Sequence, residues 1–243
     1  MKQKHQVHNL IILDESGSME PIKTTIINGF NELVQSIKGI QEQFPDQEHF
    51  ISIISFNGFG NKIMHFIDPV SKLNTIDSSN YKPDSLTPLY DALGFGLSKL
   101  EQHLTTHTNY NVVVTVLTDG EENASKEYTG LAIKNKIDEL SKGNWTFTYI
   151  GTDHDVEKMA STLSIKNTMK YDKNEEGINS MFEEEFKGRV QFFMNVREGK
   201  NFKENYFTND EKSSKSTDSL EPNTNSKILS IWKKITAKKS IKN

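Results

Sequence analysis

The sequence predicts an α/β domain with a doubly wound, mostly parallel central sheet, one antiparallel edge strand and helices on both faces. Three observations carry that reading. Short aliphatic runs alternate with longer stretches of three-and-four apolar periodicity from Val7 to Phe193, the pattern of strands covered on both sides by helices. Two neighbouring strand-like runs are joined only by Asn57-Gly58-Phe59-Gly60-Asn61, too short for a crossover helix, so they form a hairpin. Two aliphatic runs lead into an aspartate, at Asp14 and Asp119. In open α/β sheets, the carboxyl ends of strands are where ligands bind.

Val7–Leu13 is a continuous aliphatic run and reads as a buried strand. Pro21 then opens a helix, near the position where proline is tolerated, and Ile26, Ile27, Phe30, Leu33, Val34 and Ile37 give it an apolar stripe. Phe50–Phe56 and Ile63–Val70 are the hairpin strands, followed by a polar loop from Asn74 to Leu86. Thr87-Pro88 starts a second helix carrying Leu89, Leu93, Leu97, Leu100 and Leu104 on one face. Tyr110–Leu117 is the fourth strand, and Leu131, Ile137 and Leu140 mark the helix after it. Trp145–Ile150 is a fifth strand, Asp155–Leu163 a short helix and Asn167–Tyr171 a short sixth strand. Ile178, Met181, Phe182, Phe186, Val190 and Phe193 form a long closing helix, on which Glu183-Glu184-Glu185 reads as a solvated face.

The composition divides the chain. Residues 1–202 form the α/β domain, residues 203–225 are rich in Ser, Thr, Asn and charge and read as a disordered linker, and residues 226–243 form a basic amphipathic helix. That last segment holds six lysines and no acid, so of the net charge of −4 the remainder carries −10. An acidic body of this kind is a poor nucleic-acid binder, and no nucleic-acid partner is expected. The tail places Ile228, Leu229, Ile231, Trp232 and Ile235 on one face with Lys233 and Lys234 beside them. It reads as a segment that docks on its own domain, on a partner or on a membrane surface. There is no cysteine, which fits a reducing compartment, and Met1–Gln6 lacks a signal peptide's apolar stretch. The expected location is cytoplasmic, with peripheral membrane contact open through the tail.

The chemistry sits in Asp14-Glu15-Ser16-Gly17-Ser18, directly after the first strand. Asp14, Ser16 and Ser18 stand at i, i+2 and i+4, which in an extended segment puts all three on one side, and Gly17 permits a tight turn between the serines. Hard oxygen ligands on a short loop suit Mg²⁺ or Mn²⁺. Thr87-Pro88-Leu89-Tyr90-Asp91 and Thr118-Asp119-Gly120 add further oxygens. Together these residues resemble the von Willebrand factor A (vWA) family and its metal-ion-dependent adhesion site, over roughly residues 5–195. The family's D-x-S-x-S, mid-domain Thr and Asp after the fourth strand are matched by Asp14, Ser16, Ser18, Thr87 and Asp119.

The resemblance implies a site for Mg²⁺ (or Mn²⁺) with Ser16 and Ser18 as direct ligands, Thr87 as a conditional one, and Asp14 and Asp119 acting through bound waters. It implies an open position for an Asp or Glu carboxylate from a protein partner. It also implies a non-enzymatic role. The chain is similar to stand-alone bacterial vWA proteins, some of them tellurite-resistance-associated and others adaptors beside AAA+ ATPases. A rim of Glu15, Glu121, Asp153 and His154 is expected around the site, with Glu15 facing solvent and Glu121 and Glu122 adding negative charge. Asp91 is expected to be structural, suiting the dipole at its helix start.

The rival reading is a metal-dependent hydrolase or phosphatase at the same place. Haloacid-dehalogenase-like phosphatases need Asp-x-Asp, and position 16 is serine, so the general acid is missing. A receiver domain wants a cluster of acids where this chain has hydroxyls. His103 and His107, at i and i+4, read as an exposed helix end, and Asp155 as a helix cap.

Overall fold

The computed structural model describes residues 4–152, 155–200 and 203–207. Its elements are β1 (His5–Asp14), α1 (Lys23–Gln43), β2 (Gln47–Asn57), β3 (Gly60–Pro69), α2 (Leu89–Leu104), β4 (Tyr110–Leu117), α3 (Gly130–Leu140), β5 (Trp145–Gly151), α4 (Val156–Thr162), β6 (Asn167–Lys170) and α5 (Glu175–Arg197). The strands form one sheet in the order β3-β2-β1-β4-β5-β6. All pairings are parallel except β2 with β3, which places the antiparallel strand at the edge as the short hairpin connection requires.

Alternation along each strand divides the core between two faces. On one face Leu10 and Ile12 of β1, Ile54 and Phe56 of β2 and Val112, Val114 and Val116 of β4 meet the leucines of α2 together with Ile133 and Ile137 of α3. On the other, Ile11 and Leu13 of β1 with Ile51 and Ile53 of β2 meet α1 and the start of α5. The helices come close: a side chain begun at Gly29 of α1 would strike the Phe182 ring of α5 at 2.1 Å, so glycine lets these two helices cross.

Most strand ends shift by one to three residues from the sequence reading, and four further differences bear on the packing. Pro21 lies inside a 3-10 turn, Gly17–Ile22, and the α-helix begins after it at Lys23. Leu131 is 67% exposed, and Ile133 takes the buried place on α3, because the burying stripe starts one turn into the helix. Residues 203–207 are docked rather than part of a free linker. Tyr206 is buried, its N–H donates to Asn167 Oδ1 (3.0 Å), and Asn167 Nδ2 donates to the Lys203 carbonyl (2.9 Å). The proposed linker beyond Phe207 and the basic tail lie outside the described residues.

The fourth difference is Glu185, which is buried rather than solvated. It pairs with the fully buried Arg189 one turn along α5. Arg189 also donates to Asn9 Oδ1 of β1 (2.5 Å) and Thr115 Oγ1 of β4 (2.9 Å), tying α5 to the two central strands. Breaking such a pair strands a charge, whereas replacing both partners with apolar groups is far milder. Arg189→Met is therefore expected to destabilise the fold by about 3–5 kcal/mol, while Glu185→Leu combined with Arg189→Met recovers most of the loss, measured by urea denaturation. Equal losses in the single and double variants would show that packing of Arg189, and not its charge, anchors α5.

Candidate metal site

The strand order reverses between β1 and β4: the chain passes from β1 to β2 on one side and reaches β4 on the other. The two strands are parallel and paired up to Leu13 and Leu117, so Asp14 and the Thr118-Asp119 pair leave the sheet side by side. The two aspartates predicted from separate motifs thus share one crevice at the switch point.

Each carboxylate is buried and held differently. Asp14 Oδ1 accepts from the Ser16 backbone N–H (2.7 Å), and its Oδ2 accepts from Thr118 Oγ1 (2.5 Å). Burial pushes the Asp14 carboxyl up to about 6; the Thr118 and Ser16 hydrogen bonds oppose that shift in part, and the nearby Asp119 charge adds to it. Asp119 has no side-chain exposure; its Oδ1 accepts from the Ser18 hydroxyl (2.6 Å) and its Oδ2 lies 2.7 Å from Lys173 Nζ, an ion pair close in distance without an aligned hydrogen bond.

The hydroxyls converge on the same place. The 3-10 turn is closed by Met19 N–H donating to the Ser16 carbonyl (3.0 Å), and it brings Ser16 Oγ within 3.1 Å of Ser18 Oγ. Thr87 is buried at the start of α2, and its hydroxyl and that of Ser18 each lie 3.6 Å from where a side chain on Gly120 would begin. The five predicted residues are therefore brought together, with Gly120 leaving open the space between Ser18 and Thr87. Three hydroxyls and two carboxylates are the hard oxygen donors that Mg²⁺ or Mn²⁺ takes, so the residues fit such an ion. Among the described residues, no group of three or more His, Cys, Asp or Glu side chains could hold a metal. His103 and His107 stack on each other, ring centroids 5.1 Å apart, with His8 of β1 beside His103.

Residues the motif did not single out build the walls. Tyr81 is buried and donates its hydroxyl to the Asp14 carbonyl (2.7 Å). Glu15 does not face solvent and is no part of an exposed rim: its carboxylate accepts from the Lys82 N–H (2.5 Å) and pairs with Lys62 (2.7 Å). With the Asp84 N–H on the Glu15 carbonyl and the Gly17 N–H on the Ser85 carbonyl, both 3.0 Å, residues 81–85 are strapped to the Asp14–Ser18 loop. Glu122 is likewise occupied, accepting from the N–H groups of Tyr90, Ala124 and Ser125 and from the Ser125 hydroxyl. Asp91 lies in the first turn of α2 as expected, and its carboxylate also accepts from the N–H groups of Lys126, Glu127 and Tyr128. Glu121 remains exposed. Asp153, His154, Trp232, Lys233 and Lys234 lie outside the described residues, while Asp155 caps α4 by accepting from the Lys158 N–H (3.0 Å).

Residues 10–184 match the von Willebrand factor type A domain. No curated protein is significantly similar to the chain in sequence. Among solved structures, the pilus adhesin SpaC from Lactobacillus rhamnosus GG in its open conformation aligns with TM-score 0.56 and 15% identity, over 79% of this chain and 31% of that one. Proximal thread matrix protein 1 from the mussel byssus aligns with TM-score 0.50 and 13% identity, over 74% of this chain and 45% of that one. The chain thus spans less than half the length of either structure, and at these identities the likeness is one of fold.

Asp14 yields a pH test of the metal-free protein. Its carboxyl titrates near 6 when folded and near 3.8 when unfolded, so the unfolded state binds fewer protons between those values and stability falls as pH rises through that window. The loss is about 3 kcal/mol. Asp14→Asn, which keeps an acceptor for Ser16 but no charge, is expected to lack this slope and to be about 1–3 kcal/mol more stable than the parent at pH 8 in EDTA. Parallel pH profiles from urea midpoints would contradict it.

Proposed function

The chain belongs to the von Willebrand factor type A family, and from that premise we propose that it is a protein-binding module. It captures an Asp or Glu carboxylate of a partner through Mg²⁺ or Mn²⁺ held by Asp14, Ser16, Ser18, Thr87 and Asp119. The observation that carries this reading is the meeting of those five side chains at the β1/β4 switch point, with Ser18 hydrogen-bonded to Asp119 (2.6 Å) and close to Ser16 (3.1 Å). When bound, the ion supplies an open coordination position that attracts an anionic oxygen. Asp14 positions the Ser16 backbone, and Asp119 positions the Ser18 hydroxyl.

Two features favour a macromolecular partner. Phe59, at the tip of the β2–β3 hairpin, is 79% exposed, and Leu86, beside Thr87, is 54% exposed. The hairpin and the Leu86 segment touch: a side chain begun at Gly58 would meet Ser85 Oγ at 2.2 Å and the Leu86 nitrogen at 3.0 Å. Apolar side chains left exposed beside a candidate site suit a protein surface. Ser16 Oγ lies 3.1 Å from Ser18 Oγ, and Ser18 donates to Asp119 Oδ1, so hydroxyl and carboxylate oxygens gather at one place, as a site for a hard cation needs. The cysteine-free sequence suits an intracellular adaptor, which is the proposed setting.

Titration calorimetry with Mn²⁺ and Mg²⁺ tests the site. The parent is expected to bind one ion, and Ser18→Ala and Asp119→Ala to weaken it by about ten- to a hundred-fold or more. Water-proton relaxation of the Mn²⁺ form should then fall when a Glu-bearing peptide displaces metal-bound water, and an otherwise identical Gln peptide should have no such effect. Ion binding that survives both substitutions would remove the site. Ser16-dependent turnover of phosphate or acyl esters would replace the binding module with a hydrolase.

A further inference from the structure

Lys173 belongs to none of the five motif positions, yet its ammonium lies 2.7 Å from Asp119 Oδ2. This is not a loose surface pair. The lysine side chain is 22% exposed and the carboxylate not at all, so the contact sits where solvent screening is weak. The backbone that presents Lys173 is fixed on both sides. Tyr171 is buried and its N–H donates to the Gly151 carbonyl at the end of β5 (3.0 Å). Asn174 caps α5 by accepting from the Gly177 N–H (2.8 Å), and its own N–H donates to the Asp172 carbonyl (2.8 Å). Gly177 permits this close turn, since a side chain there would strike the Asp172 carbonyl at 2.4 Å. The arm from β6 to α5 thus reaches across the sheet end and holds a positive charge against a carboxylate assigned to the metal site.

We propose that Lys173 is a tethered cation that compensates Asp119 in the metal-free site and competes with the divalent ion for it. This deepens the metal-site reading and rests on it. A buried carboxylate needs a counter-charge or several hydrogen-bond donors. Asp119 has the Ser18 hydroxyl on one oxygen and Lys173 on the other. A divalent ion entering the site brings its own charge to that carboxylate, so the ammonium then becomes a like-charged neighbour. Lys173 therefore stabilises the empty site and weakens the ion's binding, setting the concentration of ion at which the site fills.

The test compares the full chain with Lys173→Met, which keeps the stem and removes the charge, and Lys173→Arg, which keeps the charge. In EDTA, Lys173→Met is expected to melt below the parent, because Asp119 loses its counter-charge. By calorimetry it should bind Mn²⁺ and Mg²⁺ about ten- to a hundred-fold more tightly, as removal of a like charge a few ångströms from a divalent ion requires. Lys173→Arg should stay close to the parent in both measurements. Unchanged or weaker ion binding in Lys173→Met, with the parent binding normally, overturns the role of Lys173 and leaves the metal site standing. If the parent binds no ion and Lys173→Met does, the competition is demonstrated directly. If neither binds, the metal-site reading and the proposal resting on it both fall.

Discussion

Two carboxylates buried side by side are the constraint around which the upper end of this sheet is built. Asp14 and Asp119 emerge from neighbouring parallel strands, and neither reaches bulk water. Ionised carboxylates cannot be left there without compensation. The fold answers with different means for each. Asp14 receives a backbone N–H and the Thr118 hydroxyl, and these only partly offset its burial, so its affinity for a proton stays raised. Asp119 receives a hydroxyl and an ammonium. A site that strains to hold its own negative charge is one that a small divalent ion relieves. The same physics that makes the metal-free arrangement costly is what the proposed cation site rests on.

The central framework was legible in the sequence because the strands are uninterrupted aliphatic runs whose ends carry the chemistry. Tyr110–Leu117 could be bounded correctly, and the hairpin followed from a connection too short to cross over. The site was legible for a related reason: Asp14, Ser16 and Ser18 are local in sequence, and Thr87 and Asp119 sit at element boundaries that the apolar pattern already marks. What stayed hidden depends on contacts between segments far apart. Glu15 and Glu185 look like solvated acids in their local context. Each is met in the fold by a distant or turn-spaced cation, Lys62 or Arg189, and Glu15 also by the Lys82 N–H. Lys173 and Tyr81 were missed for the same cause, as loop residues whose partners are fixed by topology rather than by spacing. Tyr206 is a lone aromatic in a polar stretch, and composition alone assigned that stretch to a linker.

The loops at the site are not independent of one another. Thr87 and Asn123 exchange two hydrogen bonds, the Thr87 N–H to Asn123 Oδ1 (2.9 Å) and the Asn123 N–H to the Thr87 carbonyl (3.2 Å). Glu122 reaches the Tyr90 N–H in the first turn of α2, and Asp91 holds the amides of residues 126–128 in return. The start of α2 and the loop after β4 therefore form one stitched body. Asp119, at the root of that loop, is at the same time joined to the Asp14–Ser18 loop through Ser18 and to the arm before α5 through Lys173.

This connectivity bears on how an ion at the site would be felt elsewhere. Ser85 holds a left-handed backbone (φ 66°), unusual for a residue with a side chain, two positions before Thr87. It is kept there by the Gly17 N–H on its carbonyl and by Asp84 Oδ1 on its own N–H (2.7 Å). Any displacement of Thr87 toward a ligand position must pull on this strained residue at one side and on Asn123 at the other. The buried face of α2 is clamped to the sheet, with Gly96 leaving only 2.8 Å between a would-be side chain and Ile12, so the helix has little freedom to slide. The hydrogen bonds and the strained backbone that such a displacement would meet lie in residues 84–87 and at Asn123 rather than in the sheet. Leu86 and Glu121, both exposed, are carried by these same loops, so the residues that frame the candidate site and the side chains beside it that face solvent belong to one hydrogen-bonded unit.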